Sequence, residues 1–269
     1  MLEATVSAAA WAALAGVGLV LWRLAAGRAR RRLYLALRIA TLTLATGALI
    51  IASVWGLSKS RTFQLFGDLV QRVDVTQPVL ALTFDDGPSS EYTSEILAIL
   101  AEQDVHATFY LTGQAMEANP RAAQELVAAG HELGNHSYTH QHMLLRSLSF
   151  VQDEIERTDA AIREAGYTGQ ITFRPPYGKR FILLPLVLER TKRITVLFDV
   201  EPESYPDVAA DANLIQAHVL DHARSGSIIL LHVMAPPRDE TREALPGVIA
   251  GLRARGYQFV TVSELLSLR

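Results

Sequence analysis

Cysteine is missing from all 269 residues. Disulfides, thiolate metal ligands and a cysteine nucleophile are therefore excluded, and any bound metal must be held by His, Asp, Glu or main-chain oxygen. Charge is also sparse near the N-terminus. Ala4–Trp22 and Ile39–Ser58 contain no charged residue, and each has about the ~20 residues that a membrane-spanning helix needs. Between them, residues 23–38 carry Arg23, Arg28, Arg30, Arg31, Arg32 and Arg38 and no acid. A short basic loop of this kind stays on the cytoplasmic side, which sends both chain ends outward. The first span has Glu3 as its only preceding charge, unlike a cleavable signal peptide with its basic leader. A buried helical hairpin in a soluble core is the competing reading. The expected layout is a transmembrane hairpin over 1–58 (spans about 4–22 and 39–58, cytoplasmic loop 23–38), a linker over 59–77 and a folded domain over 78–269 outside the cytoplasmic membrane. The lipid bilayer is then one partner.

Hydrophobic residues make up 49% of the chain and its mean hydropathy is +0.17. The excess sits in the two spans. Residues 59–269 hold 19 of the 25 Lys and Arg and 27 of the 28 Asp and Glu, a net charge of −8. With no basic stripe, this region is a poor nucleic-acid binder, and its overall charge favours a neutral or cationic substrate over a polyanion.

From residue 78 onward, short apolar runs alternate with amphipathic stretches. Strands are predicted at 78–84, 106–113, 131–136, 170–176, 194–200, 227–233 and 257–262. Helices are predicted at 93–103, capped by Thr93, at 119–130 with Pro120 in its first turn, and at 149–166 between Ser149 and Gly166. Further helices fall at 179–191, where Pro185 is an awkward interior residue, and at 209–223, 239–255 and 263–268. Seven strand–helix alternations over about 200 residues predict an α/β fold with a parallel sheet, open or closed into a barrel.

In such folds chemistry sits at the carboxyl ends of the strands. The unusual polar clusters all fall there. Asp85 and Asp86 follow the first strand, "HSYTH" (136–140) the third, and Arg174 with "PPYG" the fourth; Asp199 and Glu201 end the fifth and His232 the sixth. Adjacent carboxylates raise the cost of ionising each other. A turn accounts for one Asp beside Gly87 and Pro88, whereas a reaction centre with a cation accounts for two. His136 and His140, four apart, can face one side of a helical turn and share a metal. With a carboxylate from a neighbouring strand end they make two His and one Asp, a set that leaves a position open as catalytic zinc requires. The other aspartate is then available as general base. His232 is able to protonate a leaving group near neutral pH, although a buried core histidine is the plainer reading of a lone case. For Arg174 the plainer reading is a surface ion pair.

The ordered set "TFDDGP" (83–88), "HSYTH" (136–140), "RPPYG" (174–178) and "LLH" (230–232) resembles the motifs of the polysaccharide deacetylases, the carbohydrate esterase group with a NodB-homology domain, over residues 78–262. The resemblance implies a distorted, incomplete (β/α) barrel and a divalent metal, usually zinc, held by Asp86, His136 and His140. It makes Asp85 the base, Arg174 its holder and His232 the acid for the leaving amine, with metal-bound water as nucleophile. Tyr177 contributes an oxyanion N–H and Leu230 lines the acetyl pocket. One stretch departs from the pattern. The family has Asp-Trp after the fifth strand, and "FDVEPESYPD" places Ser204 and Tyr205 there, Tyr205 then being the substrate-facing residue. Asp199, Glu201 and Glu203 are three candidates for the carboxylate that tunes His232, and His142 has no assigned role. The implied substrate is an N-acetylated glycan of the cell envelope, or a lipid-linked saccharide if the anchor holds the site near the bilayer. An O-acetyl esterase on acetylated polysaccharide and a catalytically silent glycan-binding module are the alternatives.

Overall fold

A computed structural model describes residues 28–269 together with residues 16, 17 and 20. The first expected span, 4–22, thus lies almost entirely outside the described residues. The chain divides into two compact units, residues 1–56 and 57–269.

The first unit and its junction include the helix Arg28–Ser58. Its 31 residues at ~1.5 Å each give roughly 46 Å, against the ~30 Å hydrocarbon core of a bilayer. Arg30–Ser58 has a mean hydropathy of 1.9 in its most apolar window, and it is the one described helix long and apolar enough to cross a membrane. Arg28–Arg38, expected in a loop, is helical instead. Leu, Ala and Arg all favour helix, and no Gly or Pro interrupts the stretch.

The second unit holds seven short strands: β1 (Leu69–Val70), β2 (Val79–Asp85), β3 (Thr108–Leu111), β4 (Glu132–Asn135), β5 (Thr195–Val196), β6 (Ile228–Leu231) and β7 (Gln258–Phe259). The main sheet runs β4-β3-β2-β6 with every pairing parallel; β7 pairs with the start of β2, and β1 pairs with β5. Single bridges continue the circuit, Phe173 joining β4 to β5 and Val200 touching β6. The result is a parallel α/β barrel with ragged closure, the closed form of the two that the alternation allows. Leu80, Leu82 and Phe84 of β2 pack into the large cluster under the helices, while the alternate residues Ala81, Thr83 and Asp85 face the other way. That inner side sets buried polar groups, Thr83, Asp85, Thr108, Glu132 and Arg174, beside a second apolar cluster that includes Val79, Ala81, Ile228 and Leu230.

Three expectations need correcting. The run 170–176 is not a strand but a single bridge at Phe173, because Pro175 and Pro176 have no N–H to offer a ladder. Residues 59–77, expected as a linker, carry β1 and are built into the domain: Val70 and Val73 are buried, and Arg180 donates to the Ser60 and Phe63 carbonyls. The helix near 179–191 starts at Leu183, which puts Pro185 in its first turn, where no helical N–H is lost. Caps shift slightly as well. Ser147, not Ser149, caps Leu148–Glu164, and Thr93 is the first residue of its helix rather than its cap.

Candidate active site

At the carboxyl end of β2 the backbone turns sharply. Asp86 and Gly87 both have positive φ, 67° and 72°, and a Cβ on Gly87 would come within 2.8 Å of the Met234 side chain. Only glycine meets both demands there. This turn separates the two carboxylates that the sequence places side by side. Asp85 is buried; Asp86 is partly exposed.

Asp85 is met by a fully buried Arg174. Its Oδ1 accepts from Arg174 Nη1 at 2.6 Å, and the same guanidinium donates to Thr83 Oγ1 at 2.8 Å and to the Val196 and Leu197 carbonyls at 3.3 Å. Arg174 also lies over the Tyr110 ring, 4.0 Å from its centroid. Each contact fixes the fork in one orientation. Burial alone would push the Asp85 carboxyl up, but the charges of Arg174, His136 and His232 and the Arg174 hydrogen bond outweigh it and hold it below its ordinary value. Asp85 is therefore an ionised carboxylate inside the protein.

His136 follows β4 and is buried. Its Nδ1 lies 2.7 Å from the Arg174 carbonyl oxygen, which can only accept, so Nδ1 carries a proton and Nε2 is the nitrogen that faces the site. Nε2 stands 3.6 Å from Asp85 Oδ2 and 3.8 Å from Asp86 Oδ1, while His140 Nε2 is 3.4 Å from that same Asp86 oxygen. The ligand atoms of Asp86, His136 and His140 all lie within 4.8 Å of one another. Two ligands held at ~2.1 Å in tetrahedral geometry are ~3.4 Å apart, so the three positions suit one small divalent cation. Burial, then the neighbouring His136, keeps His140 below its ordinary pKa against the pull of Asp86, leaving a neutral nitrogen ready to coordinate.

The HxxxH stretch is a loop rather than the expected helical turn. Ser137 and His140 have positive φ, 65° and 58°. Two side chains that sequence reasoning missed impose this path. Asn135 Oδ1 accepts from Ser137 N at 2.9 Å, and buried Glu154 accepts from the N–H groups of Tyr138 and Thr139 at 2.9 Å each and from Thr139 Oγ1 at 2.7 Å. The signal for Glu154 was present. It falls on the stripe of Val151, Ile155, Thr158 and Ile162 that its helix buries, where a lone carboxylate needs a partner.

His232, just past β6, is held by Glu203. Nδ1 lies 2.6 Å from Glu203 Oε2, and the carboxylate also accepts from His232 N at 3.1 Å and from Thr241 Oγ1 at 2.8 Å. Burial by itself would lower the imidazole, but the Glu203 hydrogen bond and charge, with Asp85 and Asp86 beyond, raise it to about 9. Of the three carboxylates left open by the sequence, Glu203 is the one at His232. Asp199 instead accepts from Ser227 Oγ and Ile228 N, and Glu201 pairs with Arg61 and Ser204.

Asp85, Asp86, His136, His140, Tyr177, Leu230 and His232 line one cavity of about 580 Å³, and Arg174 sits directly behind Asp85. Tyr205 is the exception among the expected residues. A tight turn over Pro202–Ser204 presents Ser204 to the cavity and carries Tyr205 outward, where its ring packs on His218 at 4.9 Å. His142 packs against Tyr177, the rings tilted at 35° with centroids 4.0 Å apart.

The matching family profile is Polysaccharide deacetylase, over residues 72–191. A bifunctional xylanase/deacetylase of Pseudobutyrivibrio xylanivorans is 36% identical over 230 residues; the match takes in 84% of this chain and 36% of that protein, about a third of its length. A peptidoglycan-N-acetylglucosamine deacetylase of Bacillus cereus is 32% identical over 205 residues, 74% of this chain and 93% of that one. Among solved structures, a CE4-family pseudoenzyme of Bacillus anthracis superposes with a TM-score of 0.66 at 29% identity, covering 74% of this chain and 69% of that chain. Together with the geometry above, these matches establish that the chain belongs to the polysaccharide deacetylase family, hydrolases acting on N-acetylated sugars.

Proposed function

We propose that this chain is a metal-dependent deacetylase that removes N-acetyl groups from amino-sugar residues of a cell-envelope or lipid-linked glycan. One observation carries the reading. Three groups at the cavity have a dedicated partner: Arg174 on Asp85, the Arg174 carbonyl on His136 Nδ1, and Glu203 on His232. A family that includes a pseudoenzyme makes membership alone insufficient for activity. Here the acid, the base and the donor set are all present and all oriented.

Asp86, His136 and His140 would hold the divalent cation, and two imidazoles with one carboxylate suit zinc among several metals. Such an ion supplies Lewis acidity, polarising the acetamide carbonyl and acidifying water. Asp85, ionised and fixed by Arg174, takes a proton from the attacking water as its oxygen bonds to the carbonyl carbon. The N–H of Tyr177 faces the developing oxyanion. When the C–N bond breaks, protonated His232 gives its Nε2 proton to the amine, so that acetate and a free amino sugar leave. Leu230 packs against the acetyl methyl. The apolar helix ending at Ser58 anchors the domain in the cytoplasmic membrane, with the cavity on the extracytoplasmic side.

The test is acetate release from a short N-acetylglucosamine oligomer by the full chain, as isolated, after chelation, after zinc readdition, and as Asp85→Asn. Release that is lost on chelation, restored by zinc and absent in Asp85→Asn is expected. Release that persists undiminished in Asp85→Asn overturns the assignment of the base. The same assay on O-acetylated xylan separates amidase from esterase.

A further inference from the structure

The second unit is acidic overall, yet its active-site cavity is not. Lys59, Arg61, Lys179 and Arg238 all line it, against Asp85, Asp86 and Glu201 as the only acids in the wall. Asp85 is already matched by Arg174, and Glu201 by Arg61 at 2.6 Å. A cation held by Asp86, His136 and His140 would carry the local balance further positive. Four basic residues gathered into one concavity of a domain with a net charge of −8 focus a positive field where substrate enters. A neutral glycan draws no Coulomb gain from that field.

The wall is built rather than incidental. Lys59 and Arg61 belong to the segment after Ser58, and the buried Arg180 clamps that segment. The Arg180 backbone N–H donates to Ser58 O at 2.8 Å, and its guanidinium donates to Ser60 O at 2.6 Å, Phe63 O at 3.1 Å and Gln64 Oε1 at 3.0 Å. Arg61 is further held by stacking over Phe198, 4.5 Å from the ring centroid. Lys179 stands one residue before the clamp itself. Arg238 comes from a separate element, immediately before the helix Asp239–Ala254.

We propose that the substrate is an N-acetylated sugar bearing a phosphate ester, and that Lys59, Arg61, Lys179 and Arg238 form the wall that receives the phosphate; this rests on the deacetylase reading. Phosphate matches the wall better than a carboxylate does. It brings nearly two charges and three acceptor oxygens, enough to engage several cations at once, whereas one arginine fork satisfies a carboxylate. Two sources bring about two phosphate charges: a soluble sugar phosphate, and a saccharide joined to a membrane lipid through a diphosphate, which spreads them over two phosphates. Lys59 follows Ser58, the last residue of the apolar helix, directly in sequence, which suits the second source.

The experiment uses the full chain in detergent. Calorimetry compares N-acetylglucosamine 1-phosphate with N-acetylglucosamine on Asp85→Asn, and glucosamine 1-phosphate with glucosamine on the unmodified chain, where no acetyl group can be released. The phosphate form is expected to bind at least about tenfold more tightly at low salt, the advantage shrinking at about 0.3 M salt as exposed cations are screened. Arg238→Ala and Lys59→Ala should each cut the advantage severalfold, and Lys59→Arg should keep it. Acetate release is then compared for tri-N-acetylchitotriose, N-acetylglucosamine 1-phosphate and a polyprenyl diphosphate-linked N-acetylglucosamine, as ratios of kcat/KM. Preference for both phosphorylated substrates supports phosphate recognition as such, and preference for the polyprenyl form alone assigns the lipid source. Equal binding of phosphorylated and plain sugar, or an advantage indifferent to salt and to both alanine variants, overturns the proposal. Preferential binding with no acetate released from any substrate instead overturns the deacetylase reading and leaves the phosphate wall standing.

Discussion

Replacing Glu203 by Gln tests how the acid is tuned, because it keeps the shape and an acceptor oxygen for His232 Nδ1 while deleting one charge. In the intact protein His232 is raised from 6.5 to about 9, a difference worth roughly 3 kcal/mol at ~1.4 kcal/mol per unit. Glu203 is the main upward contributor, through its 2.6 Å hydrogen bond and its charge, with Asp85 and Asp86 adding less. A cation bound at Asp86 pushes His232 the other way in both proteins, so the informative quantity is the difference between them. The sign follows from the role. His232 must be protonated to release the amine, so activity falls as pH rises through its pKa, and a raised pKa extends activity upward. Glu203→Gln should move the alkaline limb of kcat/KM down by at least about one unit, lowering the rate about tenfold on the alkaline side of both pKa values and hardly at all near pH 6. Stability follows the same linkage. The raised pKa contributes stability that is complete below about 6.5 and is lost as pH rises through about 9, so the variant should lose most Tm at mildly acidic pH. The assay pairs a pH–rate profile with NMR titration of the His232 ring. Identical His232 titration in the two proteins, with the rate depressed equally at every pH, would refute the reasoning and leave Glu203 as a structural support only.

Three further outcomes are expected. Arg174→Met strands the Asp85 carboxylate without its partner and should cost about 3–5 kcal/mol in denaturant unfolding, together with loss of acetate release; a change under about 1 kcal/mol would show that the buried pair is not coupled as described. Glu154→Gln removes the charged acceptor of two loop N–H groups and should cost about 2–4 kcal/mol and weaken zinc binding in a chelator competition, since His136 and His140 flank that loop. A chain beginning at residue 65 leaves Arg180 without the Ser60 and Phe63 carbonyls, and its Tm should fall several degrees below that of a chain beginning at 57; equal Tm values would restore 59–77 to the status of a linker.

The sequence by itself determined the parallel α/β alternation and the identity of the chemical residues. Both are written locally: apolar runs four to seven long announce buried strands, and Asp, His and Arg are conspicuous where such runs stop. Only the tertiary structure decided which groups serve which. Asp199, Glu201 and Glu203 fall within five residues, and no periodicity distinguishes them; the turn at Pro202–Ser204 does, swinging Glu203 onto His232 and Tyr205 away from the cavity. The His136–His140 loop resembles a helical turn in spacing, but its path depends on Glu154, fourteen residues beyond His140 and on another element. β1 is two residues long, too short to show a period, and is a strand only because β5 lies beside it. Net charge misleads for the same reason. A sum over the second unit says acidic, whereas the chain path gathers Lys59, Arg61, Lys179 and Arg238 from three distant segments into one concave wall. Composition is additive along the chain; the field inside a cavity depends on distance, and distance is what folding sets.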